Sequence, residues 1–138
     1  MIITKTPYRI SFFGGGSDYP VWYNKNGGQV LSTTIDKHIY LTCRYLPRFF
    51  NHRFRIIWSK IEQVKNVNKI QHPAVKGLLK YLKVKKGLEI HYDGDLPAKS
   101  GMGSSSCFSV GLMKALSILN KKNLHGLKLA KKTIFFEQ

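Results

Sequence analysis

The stretch LPAKSGMGSSS, from Leu96 to Ser106, sets two glycines and four serines directly ahead of a long apolar-periodic segment. The residues before it, GLEIHYDGDLP, alternate as a strand does, with Leu88, Ile90 and Tyr92 inward and Glu89, His91 and Asp93 outward. Those after it place Phe108, Gly111, Leu112, Ala115, Leu116 and Leu119 on one stripe, which predicts a helix from near Ser104 that ends near Asn120. The stretch is therefore a turn between a strand and a helix N-terminus. Such an end leaves backbone N–H groups unpartnered and carries about half a positive charge, so it favours an anion. Gly101 and Gly103 can take positive φ and let a phosphate approach the backbone, so that the amides of Gly103 to Ser106 point together at one anion. Ser104, Ser105 and Ser106 add hydroxyls able to cap the helix, donate to phosphate oxygens or ligate Mg2+, and Lys99 adds a cation beside the turn. A plain capped helix would explain one serine; three serines and two glycines in six residues exceed that need. The turn is not a Walker loop, because no lysine follows the second glycine.

Working outward, IITKTPYRISFFGGG reads as short extended pieces broken at Pro7 and halted by Gly14 to Gly16. The triple glycine is no dinucleotide fingerprint, since neither a helix nor a suitably spaced acidic residue follows it. From Gln29 to Leu46, Ile39, Leu41, Cys43 and Tyr45 alternate with Tyr40, Thr42 and Arg44, which predicts a half-buried hairpin turning near Asp36 and Lys37. FRIIWS, Phe54 to Ser59, reads as another strand. From Pro73 to Val84 the helical spacing of Val75, Leu78, Leu79 and Leu82 behind a proline predicts an amphipathic helix. A last helix starts around Leu127. Strands first, then a strand-turn-helix unit and a further helix, describe an α+β domain.

The chain has 138 residues, the size of one domain, with 43% hydrophobic and 22% charged residues. It has no apolar run long enough to span a membrane and no secretory h-region, so the expected location is cytoplasmic. Cys43 and Cys107 stand far apart, without CxxC spacing, and are expected to be reduced, packed thiols. The five histidines are scattered, with no ligand spacing. Twenty-three Lys plus Arg against seven Asp plus Glu give a net charge of +16, a field that attracts nucleic acid, anionic lipid or a phosphorylated small molecule. In the linear sequence lysine outnumbers arginine and aromatics do not interleave with the cations as in a base-stacking module, so nucleic acid is not the expected partner.

LPAKSGMGSSS resembles the second motif of the GHMP kinases, the galactokinase, homoserine, mevalonate and phosphomevalonate kinase superfamily. Pro97, Gly101, Met102, Gly103, Ser104, Ser105 and Ser106 fit its pattern. TPYRISFFGGGSDYP resembles the first motif, and with GGQVLSTTIDKHIYL it is most similar to the D-glycero-D-manno-heptose 7-phosphate kinases and their fucose-kinase-like relatives. The resemblance implies the GHMP N-terminal fold, a mixed sheet with helices on one face, similar to a ribosomal-protein domain. It implies a kinase that moves the γ-phosphoryl group of ATP onto the anomeric hydroxyl of a heptose 7-phosphate, with Mg2+. On that reading Lys99, Ser100, Gly101, Met102, Gly103, Ser104, Ser105 and Ser106 hold the ATP phosphates. Ser104 or Ser105 helps hold Mg2+, and LAKKTIFFEQ resembles the family helix whose terminal glutamate, here Glu137, is a further ligand. Asp18 hydrogen-bonds sugar hydroxyls, Gly15, Gly16 and Tyr19 line the pocket, and Arg9 partners a phosphate. Asp18 also suits an Asx-turn role after glycines, and Glu137 a solvated place at a frayed helix end.

Family kinases are much longer, and their catalytic aspartate and third glycine-rich motif would fall beyond Gln138. No catalytic residue is therefore assigned within the chain, which is expected to be the ATP-binding N-terminal domain of such a kinase, inactive alone, with room for a complementing C-terminal polypeptide. A non-catalytic nucleotide- or phosphosugar-binding module and a basic RNA-binding protein are the alternatives.

Overall fold

The computed structural model describes residues 1–98 and 100–137. Five strands, β1 (Ile2–Phe12), β2 (Leu31–Tyr45), β3 (Phe54–Ile57), β4 (Ile61–Val64) and β5 (Leu88–Gly94), form one sheet in the order β1-β2-β5-β3-β4. Every neighbouring pair is antiparallel except β3 and β5, so the sheet is mixed. Four helices accompany it: α1 (Pro20–Asn26), α2 (Pro73–Tyr81), α3 (Ser104–Leu119) and α4 (Gly126–Glu137). This is an α+β arrangement.

Three sequence expectations need correction. A helix does follow the triple glycine, namely α1, which starts on Pro20. The span from Gln29 to Leu46 holds no hairpin; Leu31 to Tyr45 run as one fifteen-residue strand. Nor does Pro7 break β1, which is an edge strand where a missing N–H leaves no partner unsatisfied. These last two features report a single irregularity. Pro7 pairs with His38 and Arg9 with Thr34, so Tyr8 alone faces Ile35, Asp36 and Lys37 of β2. The polar pair that suggested a turn is instead the surplus of a bulge. β4 has no counterpart in the sequence reading, because IEQV carries little apolar alternation. Its Glu62 is buried and accepts hydrogen bonds from Trp58 Nε1 and the amides of Gln71 and His72, so a charged residue anchors the strand.

Ile39, Leu41, Cys43, Leu88 and Ile90 point from the central strands to one face, where Leu112, Met113 and Leu116 of α3 and Val75, Leu78 and Leu79 of α2 close the core. The predicted stripes of α2 and α3 are the buried ones. Helix α3 lies on β1 and β2, with α4 packed against it. Both cysteines are free and buried, and burial pushes the Cys43 thiol up to about 12. Among the described residues no helix is long and apolar enough to cross a membrane.

Glu89 points outward, as its alternation requires, yet is only 3% exposed, because Arg44, Arg55 and His91 close over its carboxylate. Burial pushes its pKa up, but the hydrogen bonds and charges of His91 and Arg44 together outweigh burial and hold it below the usual value of 4.5. A carboxylate depressed in the folded state stabilises the fold above its unfolded pKa, and that contribution fades as pH falls below about 4.5. Thermal melts from pH 6 to pH 3 should show wild type losing stability more steeply than Glu89→Gln. Parallel acid limbs would mean that the carboxylate contributes nothing to the acid sensitivity.

Candidate active site

The turn before α3 is held at both limbs by consecutive residues of β1. Tyr8, inward in step with Ile2, Thr4 and Thr6 and fully buried, donates its hydroxyl to the Leu96 carbonyl at 3.0 Å, and the Arg9 amide donates to the Met102 carbonyl at 3.2 Å. Burial, with the Tyr92 hydroxyl alongside, pushes the Tyr8 pKa well up, so the phenol keeps its proton and remains a donor. Asp95, at the root of the turn, accepts from the His38 amide at 2.8 Å and donates its own amide to the His38 carbonyl. The loop is thus tied to β2 as well. Sequence reasoning missed Tyr8, because its inward direction continues the alternation of Ile2, Thr4 and Thr6 through Pro7, where a break was expected.

Gly103 sits at the N-cap of α3 with φ +72°, in the left-handed region. No side chain caps the helix, so the three serine hydroxyls are not spent on its N-terminal amides. The Ser100 hydroxyl is buried and has no hydrogen-bond partner among the described residues. Lys99 lies outside the described residues. Arg9 runs beside the loop: a Cβ on Gly103 would lie 3.0 Å from its Cγ, and its Nη1 donates to Ser11 Oγ at 2.6 Å.

Helix α4 carries Glu137 back to this loop, where Ser106 Oγ donates to Glu137 Oε2 at 3.2 Å. The hydroxyl that meets Glu137 is therefore that of Ser106, whereas the resemblance had named Ser104 or Ser105 beside Glu137 and set Ser106 among the phosphate-binding residues. Ser104 and Ser105 occupy the same first turn of α3. A hydroxyl and a carboxylate are hard oxygen donors, and the set suits Mg2+ shared with phosphate oxygens. Among the described residues no three His, Cys, Asp or Glu cluster in a way that would hold a metal by themselves. Cys107, one residue on, donates Sγ–H to the Pro7 carbonyl at 3.0 Å, and burial raises its pKa, so it packs the loop as a thiol.

The second group of predicted residues lies past the end of β1, whose last residue, Phe12, is about 10 Å beyond Arg9 by strand rise. Asp18 is exposed and accepts from the Gly16 amide through Oδ1 at 2.7 Å, and Ser17 Oγ donates to the Gln29 carbonyl at 2.8 Å. This turn borders a cleft of about 700 Å³ lined by Phe12, Phe13, Gly14, Gly15, Ser17 and the segment Gly28–Leu31. An adjoining hollow has Asp18 and Tyr23 on its wall, whereas Tyr19 stands at the N-cap of α1 and is 62% exposed. Two further residues matter here that the site assignment from sequence omitted. Phe13 is held at φ +62°, an uncommon conformation for a bulky residue, with its ring fully exposed beside the cleft. A Cβ on Gly28 would meet the Ser17 carbonyl oxygen at 1.9 Å, so only glycine lets the two segments touch. The paired glycines were visible in the sequence, but what they approach was not.

The turn before α3 is thus stapled at both limbs and met by an acidic helix end. The profile described as GHMP kinases N terminal domain matches residues 67–138, and the chain belongs to that family. A galactokinase of Chloroflexus aurantiacus is 30% identical over 141 residues, spanning 93% of this chain and 34% of that protein. A D-glycero-alpha-D-manno-heptose 7-phosphate kinase of Campylobacter jejuni is 28% identical over 136 residues, spanning 84% and 37%. The chain thus spans about a third of the length of the curated relatives it matches. Among solved structures, a D-glycero-D-manno-heptose 1-phosphate kinase from Bacteroides thetaiotaomicron shares the fold with a TM-score of 0.80 at 22% identity, over 98% of this chain and 47% of that one. The mixed sheet and its helices are the GHMP N-terminal fold, as the two motifs implied.

Proposed function

We propose that this chain forms the nucleotide-binding part, and much of the sugar-binding part, of a kinase that transfers the γ-phosphoryl group of ATP to the anomeric hydroxyl of a heptose 7-phosphate. The observation that carries the reading is the loop from Ser100 to Ser106: tied at both limbs to β1, uncapped at its helix end, and faced by Arg9 and Glu137. Membership of the GHMP kinases supports phosphoryl transfer as the chemistry. The heptose assignment rests on the similarity to the Campylobacter jejuni enzyme and on the glycine-rich turn with Asp18.

On this reading the amides of Gly103 to Ser106, with the hydroxyls of Ser100, Ser104 and Ser105, hold the β- and γ-phosphates, and Lys99 and Arg9 add positive charge. Ser106 and Glu137 orient the metal, with Ser104 or Ser105 completing the set. Mg2+ bound there would draw charge from the transferring phosphoryl group. Phosphoryl transfer asks a protein mainly for positioning and for positive charge around a dispersed anionic transition state, which is what these groups supply. Asp18 accepts from sugar hydroxyls, and Gly15 and Gly16 let the sugar approach the turn. We assign no described residue the role of base.

Asp18→Asn separates the two halves of the site. The amide oxygen can still accept from Gly16 N–H, so the turn is preserved, while one charged acceptor for a hydroxyl is lost, worth about tenfold in affinity. Heptose 7-phosphate binding should weaken by about that factor with ATP binding unchanged. Loss of ATP affinity instead would move Asp18 to the nucleotide. Galactose binding in preference to the heptose phosphate would keep the kinase and change its acceptor.

A further inference from the structure

A group of the chain's cations gathers away from the phosphate loop. β5 leads into the loop at its C-terminal end, and the opposite end of the same strand, about 20 Å away by strand rise, borders a different surface. There, a cleft of about 650 Å³ is lined by Arg48, Arg53, Lys85 and Lys86. Tyr45, Lys85 and Lys86 are shared with a neighbouring hollow of about 310 Å³ that adds Lys83 and Lys121. Arg53 and Lys85 are shared with a third, of about 360 Å³, that adds Lys65. Seven cations therefore line one continuous set of grooves, and none of the chain's seven acidic residues lines any of them.

Aromatic groups are set among these cations. Phe49 is 79% exposed and its ring lies 4.4 Å from that of Phe50, which in turn lies 5.3 Å from His52. Lys86 stands over the Tyr45 ring at 4.9 Å. His52 Nε2 is buried at the cleft without a hydrogen-bond partner among the described residues. Contrary to the sequence expectation, cations and aromatics do interleave locally in RYLPRFFNHRFR, Arg44 to Arg55, and the fold sets this segment beside the loop before β5.

From this we propose that the grooved end of the domain binds single-stranded nucleic acid, with the strand's phosphates tracked by Arg48, Arg53, Lys85 and Lys86 and a base stacked on Phe49. Three joined grooves offer more positive charge than one small phosphate ligand can neutralise. Their concavity suits a flexible strand better than a flat bilayer. A solvent-facing ring backed by a second ring is the platform that sequence-tolerant base stacking uses.

The test is fluorescence anisotropy with a short labelled oligouridylate and the 138-residue chain across a salt series. Binding should weaken with salt at a log–log slope near −3, as about four neutralised phosphates on a single strand give. Lys85→Gln/Lys86→Gln should flatten that slope by about 1.4, because two phosphates are then left without their cations. Phe49→Ala should weaken binding by about tenfold with the slope unchanged, because it removes stacking and no charge. Lys5→Gln/Lys37→Gln, with the same charge change away from the grooves, should leave both readouts as in wild type. Three results would overturn the proposal: equal losses in the two lysine pairs, an unaltered affinity in Phe49→Ala, or binding to mixed phosphatidylcholine–phosphatidylserine vesicles with the oligonucleotide inert.

Discussion

Gly103→Val should weaken ATP binding by about 100-fold or more, with the fold largely kept. Gly103 holds φ +72°, where a side chain costs about 1–2 kcal/mol, so valine relieves strain by rotating the backbone and with it the amides at the head of α3. The space is also taken, because the new Cβ would lie 3.0 Å from Arg9 Cγ and 3.2 Å from Nε, pushing away a cation that the site uses. Misaiming two charge-assisted hydrogen bonds, at about 1.5–3 kcal/mol each, accounts for the expected factor. Gly101→Ala is the companion: its φ is +75°, but nothing lies within 4 Å of its Cβ, so it bears strain without the clash and should lose about tenfold. Calorimetric titration with ATP and Mg2+, beside a thermal melt, reads both. Retained affinity in Gly103→Val would make the turn no more than a helix start.

The largest loss of stability is expected from Leu112→Ala, about 2–5 kcal/mol. Leu112 is fully buried where α3 meets β1 and β2, so the cavity opens at the helix that carries the phosphate loop. Urea denaturation should show a lower midpoint at an unchanged slope. Gly111→Val acts in the opposite sense. Its Cβ would meet Thr6 Oγ1 at 2.8 Å and Leu41 Cδ1 at 3.1 Å, so α3 must lift from the sheet. That overpacking costs about 1–3 kcal/mol, yet it should disturb ATP binding more than Leu112→Ala does, because it moves the helix rather than hollowing the space beneath it. If the two rank the same way in stability and in affinity, the loop's position does not depend on how closely α3 seats.

Much of this was legible in the sequence wherever one periodicity prevailed over a whole element. The stripe from Phe108 to Leu119, the alternation from Ile39 to Tyr45 and the proline-led helix at Pro73 are all read correctly, as is the strand-turn-helix unit around Gly103. What failed was the interpretation of local polar residues without their partners. Asp36 and Lys37 look the same in a turn and in a bulge, and only the pairing of Pro7 with His38 and of Arg9 with Thr34 separates the two. Tyr8, which ties down the loop, keeps the inward phase of Ile2, Thr4 and Thr6, which the expected break at Pro7 hid. Likewise, the cations at Arg48, Arg53, Lys85 and Lys86 are scattered along the chain, and the sheet's geometry gathers them at the end away from the loop. Net charge pointed to nucleic acid, anionic lipid or a phosphorylated small molecule alike, whereas the fold sets seven of the 23 cations along the grooves at that end.

The central claim is that the amides between Gly103 and Ser106 converge on a nucleotide's phosphates. Amide chemical-shift mapping of the isotope-labelled chain during titration with ATP and Mg2+ tests it directly. Gly103, Ser104, Ser105 and Ser106 should move together along one saturable isotherm, with Arg9 and Glu137 following and the amides of Lys85 and Lys86 off that curve. Stationary loop amides, or shifts confined to the grooved basic end, would contradict it.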